Sequence, residues 1–233
     1  MRATCATALL LVAAPLAAQS GAFVVRLGND TLLVEQYRVT GNTLGGDQVF
    51  RAARVTTVRH FTATLDRHGG VVRYELAGRP AATPDARLET LRVTFDADTA
   101  VVELGIGDSS RSRRLVIPGG AILFVNQSYA LLELVTRQAG RAGQGRPPYV
   151  AQLLSLASLA PVAATLTRGA GDSLAVAIGT DPPLSVRVDS AGNILAVRGT
   201  GRTGPFTAER VAAVDIAAVA RHFADRPLTE RHP

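Results

Sequence analysis

Several residue types are nearly or wholly missing from this chain. Its 233 residues include one cysteine and no tryptophan, and all 25 basic residues are arginine, so lysine is absent too. The single cysteine, Cys5, lies in an apolar N-terminal run. If that run is removed, the remaining protein has no thiol, which excludes disulfides, cysteine nucleophiles and cysteine-ligated zinc together. No apolar run approaches the roughly 20 residues of a membrane-spanning helix. Such a chain has to be stabilised by its core alone, and 47% hydrophobic residues can supply one.

What is present first points outward from the cell. Met1-Arg2, the apolar stretch Ala6 to Ala14 and the small residues Ala17-Ala18 before Gln19 follow the charged, apolar, small order of a secretory signal peptide. Cleavage is expected near Ala18, with Leu16 leaving the exact bond open. The mature chain is therefore expected to be periplasmic or secreted, with no transmembrane segment.

The formal net charge is +6. A basic balance can indicate nucleic acid, anionic lipid or an acidic polymer. Here the arginines are dispersed, and the densest cluster, Arg111-Ser112-Arg113-Arg114, carries no interleaved aromatics for base stacking. This composition disfavours nucleic acid as a partner.

Period-two alternation dominates the body. Val55, Thr57, Arg59, Phe61, Ala63 and Leu65 alternate with mostly polar neighbours, Asp66-Arg67-His68-Gly69-Gly70 makes a turn, and Val72, Tyr74 and Leu76 return. The same pattern recurs at Phe23 to Val39 around Gly28-Asn29-Asp30, from Leu91 to Ile117, and from Val162 to Arg198, with a last strand at Phe206 to Val211. Short connections make antiparallel neighbours. The predicted fold is mainly β: an antiparallel sheet, half-barrel or sandwich with one or two short helices.

Helical spacing appears at Ser128 to Ala139, with Asn126 or Ser128 as cap, and at Asp215 to Ala224. Tyr149 to Leu159 is ambiguous and is read as strand. The expected organisation is a signal peptide at 1–18, a β-rich body at 19–211 whose halves 19–139 and 149–211 are joined by a Gly/Pro-rich linker at 140–148, and a C-terminal helix and polar tail at 212–233.

No motif commits the chain to catalysis. Gly199, Gly201 and Gly204 match G-x-G-x-x-G, but Pro205-Phe206-Thr207-Ala208 reads as extended where a dinucleotide site needs a helix, so a hairpin loop is expected. His60 and His68 lack a third ligand in sequence reach, and no Gly-x-Ser-x-Gly elbow occurs. Asp96 and Asp98 are paired carboxylates at an expected hairpin tip. No catalytic residue, metal ligand or cofactor is assigned. Asn126-Gln127-Ser128 fits a glycosylation acceptor but suits a helix cap better.

Arg59 stands out because it shares the apolar face of its strand. If that face lines a cavity, its guanidinium would meet an anionic head group; a strand bulge or snorkelling from a sheet edge are the other readings. The candidate ligand face is Arg59, Phe61, Tyr74 and Phe95.

Phe23 to Leu32, with Phe206 to Val211 and Val214 to Ala220, resembles the N-terminal region of uncharacterised secreted proteins of GC-rich environmental bacteria, in which a β-rich region and helix precede a second domain of unknown function. More distantly, the layout is similar to periplasmic carriers that hold lipid or lipoprotein acyl chains against a curved sheet. These resemblances imply an exported, non-enzymatic module that binds an apolar or amphipathic ligand, such as a lipid, or a protein partner. The alternatives are a hydrolase whose residues converge only in space, and a purely structural domain.

Overall fold

The computed structural model describes residues 19–52, 54–86, 89–117, 121–125, 127–141, 148–156, 158–201, 204–226 and 228. The expected signal peptide, Asn126 and most of the expected linker lie outside them.

The described residues open with eight strands in a row: β1 (Gln19–Leu27), β2 (Asp30–Thr40), β3 (Thr43–Arg51), β4 (Thr56–Leu65), β5 (Val71–Pro80), β6 (Glu89–Asp96), β7 (Thr99–Ile106) and β8 (Ser109–Val116). A three-residue strand, β9 (Ile122–Phe124), leads into helix α1 (Tyr129–Arg141). Six further strands follow: β10 (Tyr149–Ser155), β11 (Ala160–Arg168), β12 (Ser173–Ile178), β13 (Leu184–Val188), β14 (Ile194–Gly201) and β15 (Gly204–Val211), before helix α2 (Ile216–Phe223).

All fifteen strands join one sheet in the order β8 to β1, then β15 back to β9. The antiparallel, mainly β fold expected from the alternation is present, with two short helices. The two halves meet where β1 pairs with β15, Phe23 opposite Arg210 and Val25 opposite Ala208. One pairing is parallel, between β9 and β10. The terminal strands β8 and β9 are not hydrogen-bonded to each other, so the sheet is unclosed.

Alternation sets the two faces. Phe23 and Val25 of β1, Leu33 and Tyr37 of β2, Phe61 and Ala63 of β4, Tyr74 of β5 and Val93 of β6 are buried on the inner face, with Leu166, Val176, Val186 and Val197 from the other half. All belong to one core cluster.

That core encloses α1. Eight consecutive residues, Tyr129 to Thr136, are buried, so the helix is covered on every side of its first two turns. The sheet wraps around the helix rather than resting on one face of it. Helix α2 lies against β2, β3 and β4. Asp215 caps it by accepting the Ala218 N–H at 2.9 Å, and the Arg51 guanidinium stacks 4.2 Å from the Phe223 ring centroid.

Local chemistry explains the turns. Asp66 Oδ1 accepts the N–H groups of His68 and Gly70 at 2.7 and 2.8 Å, while Gly69 takes φ +81°, closing the β4–β5 hairpin. The glycine-rich match lies in the β14–β15 hairpin, where Gly201 pairs with Gly204 and no helix follows.

Candidate functional site

Two carboxylates, Glu35 of β2 and Glu133 of α1, are buried where the sheet closes on the helix. Glu35 alternates with Leu33 and Tyr37 on β2 and is completely buried. Its Oε1 accepts hydrogen bonds from Gln48 Nε2 at 2.8 Å and Ser128 Oγ at 2.9 Å. Its Oε2 accepts the Tyr129 and Ala130 N–H groups at 2.7 and 3.0 Å. The carboxylate thus occupies the N-terminus of α1, where free backbone N–H groups and the helix dipole favour negative charge. Burial nevertheless pushes its pKa up to about 6, against the pull of the Gln48, Ala130, Ser128 and Tyr129 hydrogen bonds.

The second carboxylate, Glu133, is 1% exposed and sits one turn further along α1. It accepts from Tyr37 Oη, the Arg137 and Arg210 guanidinium groups, and the Ile194 N–H at 2.8 Å. Arg210 also donates to the Ile194 carbonyl at 2.7 Å and lies 5.0 Å from the Phe23 ring centroid. Gly21 leaves the space this cluster needs, since a Cβ there would meet Arg210 and Tyr37 atoms within 2.7 Å. Burial, then the Glu133 charge, raises the Tyr37 pKa, so the phenol stays protonated and donates. These groups tie β2, α1, β14 and β15 together; each is satisfied within the protein.

A cross-strand row continues from Glu35 through Gln48 on β3 to Arg59 on β4, Gly78 on β5 and Glu89 on β6. Because Gly78 has no side chain, Arg59 reaches across it to Glu89 at 2.6 Å, and a Cβ on Gly78 would lie 2.6 Å from Glu89 Cγ. The same guanidinium stands 5.0 Å from the Phe50 ring centroid. Arg59 is thus on the inner face, as its alternation indicated, and is half-buried in an ion pair.

The other candidate residues divide by depth. Phe61 and Tyr74 are fully buried, their rings 6.2 Å apart, and form the floor of the sheet; Phe95 is half-buried. The buried Tyr74 hydroxyl has no hydrogen-bond partner among the described residues. Towards β8 the inner face becomes accessible. Leu91 and Leu104 are half-buried and Ile106 is 69% exposed. Arg111 and Arg113 of β8 extend the rows of Leu104 and Val102.

A groove of about 630 Å³ crosses β4 to β8. His60, Thr62, Glu75, Arg92, Glu103 and Ser112 line it with side chains of the opposite, solvent-facing pleat. Glu75 accepts from Arg73 at 2.7 Å and Arg92 at 2.9 Å there, and those arginine hydrogen bonds hold its carboxyl below the ordinary range. His60 Nδ1 lies 2.9 Å from Asp47 Oδ1 on the same solvated side, and His68 lies in the β4–β5 turn. Asp96 and Asp98 flank Ala97, which takes φ +46° in the β6–β7 turn. Among the described residues, no three His, Cys, Asp or Glu side chains converge as a metal site.

Sequence reading singled out Arg59 for a charge on an apolar pleat, and the same criterion applied to β2 finds Glu35. Glu133 gives no such signal, because the polar face of an amphipathic helix is where a glutamate is expected.

No protein-family model matches the sequence, and no curated protein does. The fold is similar to a DUF1089-family protein of Pseudomonas aeruginosa, with 14% identity over 72% of this chain and 89% of that one, at a TM-score of 0.51. It is also similar to a β-barrel-like protein of Brucella abortus from the domain-of-unknown-function family DUF1849, with 13% identity, 83% of this chain, 94% of that one and a TM-score of 0.52. At these identities the likeness is one of fold alone.

Proposed function

We propose that this chain is an exported, non-enzymatic binding module that holds an amphipathic ligand on the inner face of its curved sheet, on the β6–β8 side. The observation that carries this reading is the change in burial along the inner face. Rows that are closed around α1 run out into half-buried Leu91, Phe95 and Leu104 and exposed Ile106, with Arg111 and Arg113 at the rim. An acyl chain would lie on the leucines and Ile106, and an anionic head group would meet the arginines. Phe61 and Tyr74 act as a rigid floor beneath it, and Arg59, paired with Glu89, borders it. The order of residues at the N-terminus supports export. The barrel-like neighbours of unknown function are compatible with a binding role.

The test combines native mass spectrometry of protein purified gently from the cell envelope with titration of a fluorescent fatty acid. The expected result is a co-purifying amphiphile and saturable probe binding. Ile106→Asp, at an exposed position, and Leu104→Asp should each weaken the probe about tenfold, as expected for losing one apolar side-chain contact. Absence of both an adduct and saturable binding would refute the ligand reading.

A further inference from the structure

The two ends of the sheet are unequal. β9 is only three residues long, its Leu123 is fully buried, and its chain passes directly towards α1. β8 has eight residues, of which Ser109 to Arg114 are all exposed, and no described strand pairs with it beyond β7. In an antiparallel pair, about half of an edge strand's N–H and C=O groups point away from its partner, so β8 presents an unpaired backbone ladder.

Its side chains are equally one-sided. Arg111, Arg113 and Arg114 lie on β8 with no acidic residue in the strand. Elsewhere on the same half of the sheet, Arg59, Arg73 and Arg92 pair with Glu89 and Glu75, whereas no ion pair of the three β8 arginines is found among the described residues. Arg111 and Arg113 fall on the inner pleat and Arg114 on the outer, so positive charge flanks both sides of the edge.

We propose that the free edge of β8 docks an extended acidic segment of a partner protein, which adds to the sheet as a further strand. Backbone pairing supplies the affinity, and acidic residues at alternate positions of the incoming segment meet Arg111 and Arg113 on one face while an acid of opposite parity meets Arg114. A second copy of this chain is the wrong occupant, because edge-to-edge pairing of two β8 strands would bring arginines against arginines. The charge therefore guards the edge against self-association and selects the partner. This inference rests on the strand edge; it shares Arg111 and Arg113 with the proposed ligand face, whereas Arg114, on the outer pleat, belongs to the edge alone.

Fluorescence anisotropy on the whole protein tests it with labelled peptides of about ten residues that alternate glutamate with valine and threonine and carry one further glutamate at a central position of opposite parity. The acidic peptide should bind saturably, and its lysine counterpart should not. An acidic peptide with alternate backbone amides N-methylated keeps its charge and loses donors, and should bind about tenfold more weakly. Hydrogen exchange of the β8 amides should slow on binding. Arg114→Glu should weaken the acidic peptide several-fold yet leave a fatty-acid probe unaffected, which separates this edge from the inner face. Arg114 is exposed, and circular dichroism of the variant checks that it folds. Equal binding of the N-methylated peptide, or tighter binding of a single-stranded oligonucleotide with no slowing of β8 exchange, would show charge attraction alone and overturn the proposal. Failure of the acidic peptide to bind at all would mean that the arginines only guard the edge, and would overturn it too.

Discussion

Replacing Glu35 separates the two roles of a buried carboxylate. Glu35→Ala removes an acceptor for four donors, the Tyr129 and Ala130 N–H groups, Ser128 Oγ and Gln48 Nε2, and leaves a cavity behind. Unsatisfied buried donors cost about 1–3 kcal/mol each when no water reaches them, so this variant should lose several kcal/mol of stability. Glu35→Gln keeps the shape. Its carbonyl can accept the two helix N–H groups, and its amide can donate to Ser128 Oγ and to a flipped Gln48. It also removes the desolvation that raises the Glu35 pKa from 4.5 to about 6. That rise corresponds to about 2 kcal/mol. Between these two values the folded protein binds a proton that the unfolded chain does not, so the contribution of Glu35 to stability is fully present below pH 4.5 and is lost as pH rises through about 6. Urea unfolding of both proteins at pH 4.5, 5.5, 7 and 8 should therefore show the stability of wild type falling by about 2 kcal/mol relative to Glu35→Gln across that window. A difference that stays constant with pH, or that grows in favour of wild type as pH rises, would refute the reasoning. The first would mean that the four donors balance burial, the second that they outweigh it.

Two further substitutions test the packing around α1. Tyr74→Phe removes a buried hydroxyl with no partner among the described residues, so thermal or urea unfolding should show unchanged stability or a gain of about 1 kcal/mol; a loss above that would reveal a partner for the hydroxyl. Gly192→Ala places a Cβ 2.9 Å from the Arg137 Cα of α1 at a residue with φ +83°, and should cost about 1–3 kcal/mol in unfolding measurements, with no loss expected from Gly179→Ala beyond its own backbone strain.

Much of the fold was legible because its signals are local. The β4–β5 hairpin follows from alternation on either side of Asp66 to Gly70, and both helices from apolar spacing with Ser128 and Asp215 at their starts. β3 gives no clear strand signal, because Gly45-Gly46-Asp47 in its middle has the composition of a turn. The structure uses Gly46 differently: a Cβ there would lie 2.4 Å from the Gln36 carbonyl and 2.6 Å from the Phe61 ring, so glycine lets β2 and the Phe61 side chain close on the strand. Of the proposed ligand face, the inward pleat of Arg59, Phe61, Tyr74 and Phe95 was readable, but their depth was not. Depth depends on which rows α1 covers.

By itself, then, the sequence determined the strand-rich class, most turns, both helices and the absence of a thiol beyond Cys5, because these depend on residues within a few positions of one another. Tertiary structure alone decided that β1 closes against β15, that α1 is enclosed by the sheet, and that Glu35 and Glu133 become its buried anchors. It also decided that the arginines of β8 stand on an open edge. Those outcomes join residues up to about 190 positions apart, and pairing over such distances is selected by the fit of whole faces and edges, which no local pattern encodes.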